Sequence, residues 1–273
     1  MFRKLNENDY TKTMDFLGKD PGLNLFQIGD IENYGFDSEI QTVWGSFNEN
    51  EELTGVLLRY RDNYIPYFKD EELFVSKFRE VIQNDERANI ISGEAQMVSP
   101  FKSCFERYHE REMYFCELKD NLSLKTGQVT IKLATPDDAE RIFDLLLMIE
   151  EFDTLNRNSA DHVRQKLEDQ SGRIYFIENE KKEVICTAQT AAENSKSAMV
   201  VSVATRKDYR RQGLMPQVLS KLCQDLLNEQ KTLCLFYDNP EAGAVYHKLG
   251  FKTIGKWKMI GRQPLDDFID FNS

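Results

Sequence analysis

Residues 201–219, VSVATRKDYRRQGLMPQVL, change character twice. A β-branched apolar run closes at Thr205 and predicts a strand. Four basic residues, Arg206, Lys207, Arg210 and Arg211, fill the loop that follows. Gly213 then opens a segment whose apolar positions, Leu214, Val218, Leu219, Leu222, Leu226 and Leu227, keep the helical period. The first N–H groups of a helix have no partner inside it, and its dipole is positive at that end. A glycine there lets an anion approach the backbone, and arginines add charge-assisted hydrogen bonds. An anion site fits this stretch. A solvated strand–helix loop fits it too.

Working outward, strands are expected at 173–179, 183–192 and 198–205, in meander-like spacing. Helices are expected before them, from Thr135 to about Phe152 and over 159–170. After the long helix come a strand at 232–238, a short helix at 240–249 and a strand region at 251–261. The order is β-α-α-β-β-β-α-β-α-β. In DNPEAGAVYHKLGF, residues 238–251, Asn239 can cap a helix that Pro240 begins. Ala242 and Tyr246 stand four apart and share a face. Gly250 suits a left-handed helix stop.

These two stretches resemble the GNAT N-acetyltransferase superfamily. RRQGLM is similar to its acyl-CoA signature, Gln/Arg-x-x-Gly-x-Gly/Ala, through Arg210 and Gly213. Asn239, Ala242, Tyr246, Leu249, Gly250 and Phe251 are similar to its Asn-x-x-Ala-x-x-x-Tyr-x-x-Leu-Gly-Phe element. The resemblance implies that backbone at Val203, Ala204 and Thr205 bonds the pantetheine arm and acyl carbonyl. It implies that Arg210, Arg211, Gln212, Gly213, Leu214 and Met215 cradle the coenzyme A pyrophosphate, with Asn239 in the cofactor site. Tyr246 would protonate the departing thiolate. There are two departures: Met215 stands where Gly or Ala is usual, and Lys207 where Pro is common. The implied reaction is direct acetyl transfer from acetyl-CoA to a primary amine on a small molecule or peptide. It needs no metal. The strands 198–205 and 232–238 are expected to splay, with a groove between them.

The base that takes the amine proton is open. Glu150, Glu151 and Glu193 are candidates, and a solvated surface carboxylate fits each of them. A non-catalytic acyl-CoA-binding module and an aminoacyl-tRNA-dependent tandem transferase remain alternatives. Lys and Arg number 35 against 46 Asp and Glu, for a net charge of −11. That balance argues against a nucleic-acid partner or an anionic membrane surface. The longest apolar stretch, near IFDLLLMI, is short of the ~20 residues a membrane-spanning helix needs. With no apolar signal core near Met1, a cytoplasmic protein is expected. A homodimer remains open. The five cysteines, at 104, 116, 186, 223 and 234, form no Cys-x-x-Cys pair and read as buried thiols. Cys234 is the one placed nearest the expected site. Three histidines, none at metal-ligand spacing, leave little for a zinc site.

At 273 residues the chain suits two domains. The polar segment LKDNLSLKTGQ, 118–128, places a boundary near 122–127. KLNENDYTKTMDFL (4–17) and KLATPDDAERIFDLL (132–146) align with one gap, bringing Asp9 onto Asp138 and Asp15 onto Asp144. In each, a strand ends at Leu and a capping residue, Asn6 or Thr135, starts a helix. The expected architecture is α/β (α+β): two tandem GNAT-like domains, each a mixed, mostly antiparallel sheet flanked by helices. The expected divisions are 1–122, a linker at 123–127 and a catalytic domain at 128–273. In the first half, strands are expected at TVWGSF, LTGVLLRY, YIPYF, ANIIS and EMYFCEL. DEELFVSKFREVIQND and SPFKSCFERY are expected to be helical. This half lacks both motifs and reads as a degenerate copy.

Overall fold

In the computed structural model the described residues are 1–69, 71–125, 127, 129–149 and 159–265, with backbone only for 71–73. They form two compact units. One holds Met1–Phe115 and the described chain from Thr253. The other holds Cys116–Lys252.

The first unit opens with β1 (Phe2–Lys4), α1 (Tyr10–Leu17) and α2 (Leu25–Tyr34). Then come β2 (Gln41–Phe47), β3 (Leu53–Tyr60), β4 (Asn63–Phe68), α3 (Glu71–Gln83), β5 (Ile90–Glu94) and α4 (Ala95–Val98). A 3-10 turn over Ser99–Cys104 stands where the first part of the helix expected at 99–108 would be, and no helix follows it to Tyr108. β1 to β4 pair antiparallel in sequence order, and β4 meets β5 in parallel at Asn63↔Ile90 and Tyr64↔Ile91. Helix α2 was not expected from sequence. It buries Gln27 and Gly29 beside Leu25, Ile28 and Ile31, so its apolar stripe is interrupted. The Gln27 amide donates to the Ile65 carbonyl at 2.8 Å, which makes that burial tolerable.

Strand β6 (His109–Leu118) carries the chain from the first unit into the second. The second unit then runs β7 (Lys132–Leu133), α5 (Ala139–Leu147), α6 (Ala160–Glu168), β8 (Ile174–Glu178), β9 (Val184–Ala191) and β10 (Ser197–Thr205). α7 (Leu214–Asn228), β11 (Thr232–Tyr237) and α8 (Pro240–Lys248) complete it. The expected order of elements holds. β7 to β10 pair antiparallel in turn, and β10 meets β11 in parallel. The helix expected from Thr135 begins as a 3-10 turn at Pro136–Asp138, and α5 stops at Leu147.

The division of the chain differs from the expected one in two places. First, the final strand, β12 (Lys252–Gly261), does not close the second half. It pairs antiparallel with β5 of the first unit, from Trp257↔Glu94 to Gly261↔Ile90. Trp257 packs on Phe26 and Phe115, and Ile260 lies in the core beneath α3. Lys258, almost fully buried, pairs with Glu110 at 2.8 Å and Glu112 at 2.7 Å. Meanwhile Cys116 and Leu118, at the end of β6, lie in the second unit's core with Leu235, Leu249 and Phe251. The second half of the sequence thus lends β12 to the first unit, while only the last three residues of β6 enter the second. Second, Leu124 and Lys125, within the expected linker, are held to the second unit. The Lys125 N–H donates to Ser220 Oγ at 2.9 Å, and Leu124 packs against the second core.

The repeated openings share one device. The Asp9 carboxylate accepts the Asn6 N–H at 3.0 Å, and Asp138 accepts that of Thr135 at 2.9 Å. Each carboxylate also binds an arginine, Arg3 in one unit and Arg141 in the other. The aligned aspartates therefore do the same local work: they close the first helical turn and take a charged partner.

Candidate functional site

Strand β10 has two ends with different partners. From Ser197 to Met199 it pairs in parallel with β11, in register with Thr232–Cys234. Beyond Met199 only β9 accompanies it, so β10 and β11 part as expected. Its pairing with β9 is itself broken. Val201 pairs with Gln189 and Ala204 with Thr187, leaving Ser202 and Val203 opposite Ala188. This is a β-bulge, and Ser202 adopts φ 48° to make it. Of the three positions expected to present backbone to an acyl group, Val203 stands outside the ladder. Ala204 and Thr205 are in register with Thr187 and Cys186. The Ala204 side chain faces a separate core with Ile142 and Leu145, while Val203 packs toward α7.

The loop after β10 is held by its own basic residues. Arg210 Nε donates to the Thr205 carbonyl at 3.1 Å. Arg206 is committed to Glu183 at 2.9 Å and Asp208 at 3.0 Å, and lies over the Tyr209 ring. Gln212 folds back, its amide donating to the Asp208 carbonyl at 3.2 Å. Lys207 and Arg211 stay exposed. Arg211 has φ 62° and Gly213 φ 73°, with Gln212 between them. Alternation of this kind turns successive N–H groups toward one point, an anion-binding concavity.

Helix α7 begins on Gly213 with no side-chain cap. A Cβ built on Gly213 would meet nothing within 4 Å, so the space before the helix is open. Pro216 brings no N–H, which leaves Gly213, Leu214 and Met215 as the first donors. The Met215 side chain packs against the second unit's core.

Helix α8 brings Tyr246 to the same core cluster as Val203, Leu214, Met215 and Ala242. Tyr246 is 9% exposed. Burial pushes its phenol up to about 12. Its ring meets those of Tyr237 and Phe251 at centroid distances of 6.0 Å and 6.1 Å. Asn239 caps the helix: Oδ1 accepts the Glu241 N–H at 2.9 Å. Its carbonyl oxygen is thus occupied by α8. Gly250 takes φ 100° after the helix, as its stop requires.

One arrangement escaped the sequence reading. His247 Nδ1 donates to the Phe251 carbonyl at 2.9 Å, leaving Nε2 to accept from the Tyr237 hydroxyl at 3.0 Å. Tyr237 lies against Gly243, where a Cβ would come within 2.3 Å of the ring. The signal was Gly243 four residues before His247 on a short helix. These contacts lock α8, and with it Tyr246, onto the end of β11.

Among the candidate bases, Glu150 and Glu151 lie outside the described residues. Glu193 is bound by Arg173 and Lys231, both at 3.1 Å, and by the Thr190 hydroxyl. It serves the β8–β10 end of the sheet and is no free proton acceptor. All five cysteines are unpaired and buried. Burial pushes the Cys234 thiol far up, so it is not primed as a nucleophile. Among the described residues no three His, Cys, Asp or Glu side chains gather to hold a metal ion. No helix among them is long and apolar enough to cross a membrane.

A family model described as GNAT acetyltransferase matches residues 164–260. No curated protein matches the chain. Among solved structures, a Drosophila protein is similar with a TM-score of 0.71 and 11% identity, over 96% of this chain and 98% of its own. A tandem GNAT protein from the clavulanic acid biosynthesis pathway has a TM-score of 0.57 and 12% identity, over 97% and 99%. A GNAT-family acetyltransferase from Colwellia psychrerythraea has a TM-score of 0.55 and 10% identity, over 96% and 100%. At such identities the likeness is one of fold.

Proposed function

From a chain that has the tandem GNAT fold and carries the GNAT acetyltransferase family in residues 164–260, we propose an acetyl-CoA-dependent N-acetyltransferase. Its acceptor is a primary amine on a small molecule or peptide. The observation that carries the proposal is the uncapped N-terminus of α7, where Gly213 opens onto free space beside a splayed, bulged β10. A pyrophosphate needs that combination: convergent N–H groups, a positive dipole end and room for its oxygens. The donor set fits coenzyme A.

Bound acetyl-CoA supplies an activated acyl thioester. The chain does the rest. Gly213, Leu214 and Met215 offer backbone N–H groups to the pyrophosphate, and Arg211 adds charge at the mouth. Arg210 holds the loop in shape through Thr205. Val203, freed from the ladder by the bulge, offers its backbone where charge develops on the acyl oxygen. One such donor is worth roughly 3–4 kcal/mol of barrier. The amine, drawn in as its cation by an acidic protein, must pass a proton to solvent water before it attacks the acyl carbon and displaces the thiolate. Tyr246 keeps its proton well above neutral pH, so it acts as a donor and protonates the thiolate that leaves. Asn239 serves by capping α8, which sets the place of Tyr246.

The test is an amine panel with acetyl-CoA, following free thiol. Release that depends on the amine supports the transferase. Coenzyme A binding without turnover on any amine would leave only a binding module, and no binding would overturn both.

A further inference from the structure

The first unit, though it lacks both motifs, has a cavity of its own. It measures ≈ 670 Å³, within the size range of small-molecule sites, and is built wholly from residues between Phe2 and Arg87. It lies between β1–β4 and the C-terminal half of α3, away from the start of that helix. One side is aromatic. The Trp44 and Tyr64 rings stack with centroids 6.3 Å and planes 24° apart, and Phe2 joins them. The charged residues around it are four cations, Lys4, Arg59, Lys77 and Arg87, against two carboxylates, Glu80 and Asp85. In a chain of net charge −11 this is a local inversion of sign.

Arg59 is the residue that asks for a ligand. It is 3% exposed and sits in the sheet itself, on β3. Nη2 donates to Thr42 Oγ1 at 3.0 Å and Nη1 to the Arg61 carbonyl at 2.9 Å. Nε is buried and has no acceptor. The nearest carboxylate, Asp85, stands at 3.9 Å from Nε, too far for a hydrogen bond. Asp85 is already engaged by the Tyr64 hydroxyl at 2.7 Å and by Arg87 through Nε at 2.9 Å and Nη2 at 3.0 Å. A buried guanidinium with an idle N–H and a distracted counter-ion is under-compensated. An anion in the cavity would supply both the charge and the acceptor.

The geometry points to a binding site for a small aromatic anion, its ring against the half-buried Trp44, which Tyr64 backs from beneath, and its carboxylate or phosphate toward Arg59. Aromatic faces accept a planar ring, and a guanidinium favours carboxylate and phosphate oxygens. At the rim, Lys4 is held by Asp37 at 3.4 Å and Lys77 by Glu80 at 3.0 Å; both pairs are exposed, so these lysines can turn to an incoming anion.

The protein has two tryptophans, Trp44 and Trp257, and Trp257 lines no part of this cavity. Their indole N–H resonances therefore report on it separately. The intact chain is titrated with benzoate, with phenyl phosphate and with neutral benzamide. The expected result is a saturable shift of Trp44 with at least one anion, no shift of Trp257, and affinity for benzamide weaker by roughly tenfold or more. Which anion binds tighter separates a carboxylate from a phosphate site. Arg59→Lys should weaken the anion, and so should Lys77→Ala, an exposed change that leaves the fold intact. No Trp44 shift at millimolar anion, equal binding of benzamide, or unchanged affinity in Lys77→Ala and Arg59→Lys would each overturn the site.

Discussion

The same strand is built differently in the two units. In the first, β4 pairs with β3 without interruption from Asn63↔Tyr60 to Phe68↔Gly55. In the second, β10 breaks step with β9 at Ser202 and Val203. The helices that follow differ as well. α7 opens on a left-handed glycine with free space beside it. The sequence entering α3, FKDEEL (68–73), has three carboxylates and no glycine. Acidic residues suit a helix N-terminus on their own account, and there they repel a phosphate. The fold is shared, then, while the proposed acyl-CoA site differs from its counterpart by one extra residue in a ladder and one missing side chain. The first unit turns its own buried arginine toward a different cavity.

That contrast can be broken at several points. The largest effect is expected from Tyr246→Phe, which removes the donor of the second unit and nothing else. Its kcat should fall by about 10²–10⁴-fold with KM for acetyl-CoA nearly unchanged. Unchanged turnover would remove the acid role. Trp257→Ala tests the crossing of β12. It should cost about 3–5 kcal/mol, by analogy with buried aromatic truncations. Hydrogen exchange should rise first in β5, which belongs to the first unit although Trp257 comes from the second half of the sequence. Faster exchange confined to β9 and β10 would contradict the pairing.

Acid should separate the units next. Burial works to raise the Asp85 carboxyl, but hydrogen bonds from Arg87 and Tyr64 prevail and hold it at about 2. A carboxylate depressed in the folded state lends stability above its unfolded pKa, near 4. That stability is lost as pH falls from roughly 4 to 2. Asp85→Asn should flatten this part of the acid transition, read by Trp44 fluorescence, and an unaltered curve would contradict it. The smallest effect is expected from Asn239→Ala, about 1 kcal/mol through loss of the α8 cap. Coenzyme A affinity should change little. A large loss of affinity with stability intact would make Asn239 a direct cofactor ligand instead.

Much of the second unit was legible because its signals are local. Gly213 after a strand, Asn239 before Pro240 and Tyr246 four residues past Ala242 each carry a backbone or helical-face requirement in their spacing. The order of elements followed from periodicity in the same way. The crossing of β12 into the first unit, and of the end of β6 into the second, was not legible. Both read as strands, and nothing in a strand's alternation names a partner more than a hundred residues away. Helix α2 hid because buried Gln27 and Gly29 interrupt its stripe. The bulge hid too, since its left-handed residue is a serine, with no glycine to mark it. Arg59 looked like an ordinary strand residue; only its burial and its idle Nε set it apart.

The central claim is that the opening at Gly213 receives the pyrophosphate of acetyl-CoA. Calorimetric titration of coenzyme A into the wild-type chain, Gly213→Ala and Gly213→Glu tests it most directly. The side chain has room, but the backbone keeps a left-handed φ of 73°, a strain of roughly 1–2 kcal/mol that Gly213→Ala shares, so the alanine variant isolates the effect of a carboxylate standing where the phosphates bind. The expected result is one site per chain in the wild type and an affinity roughly tenfold or more lower in Gly213→Glu than in Gly213→Ala. Equal affinity in the two variants, or no binding to the wild type, would contradict it.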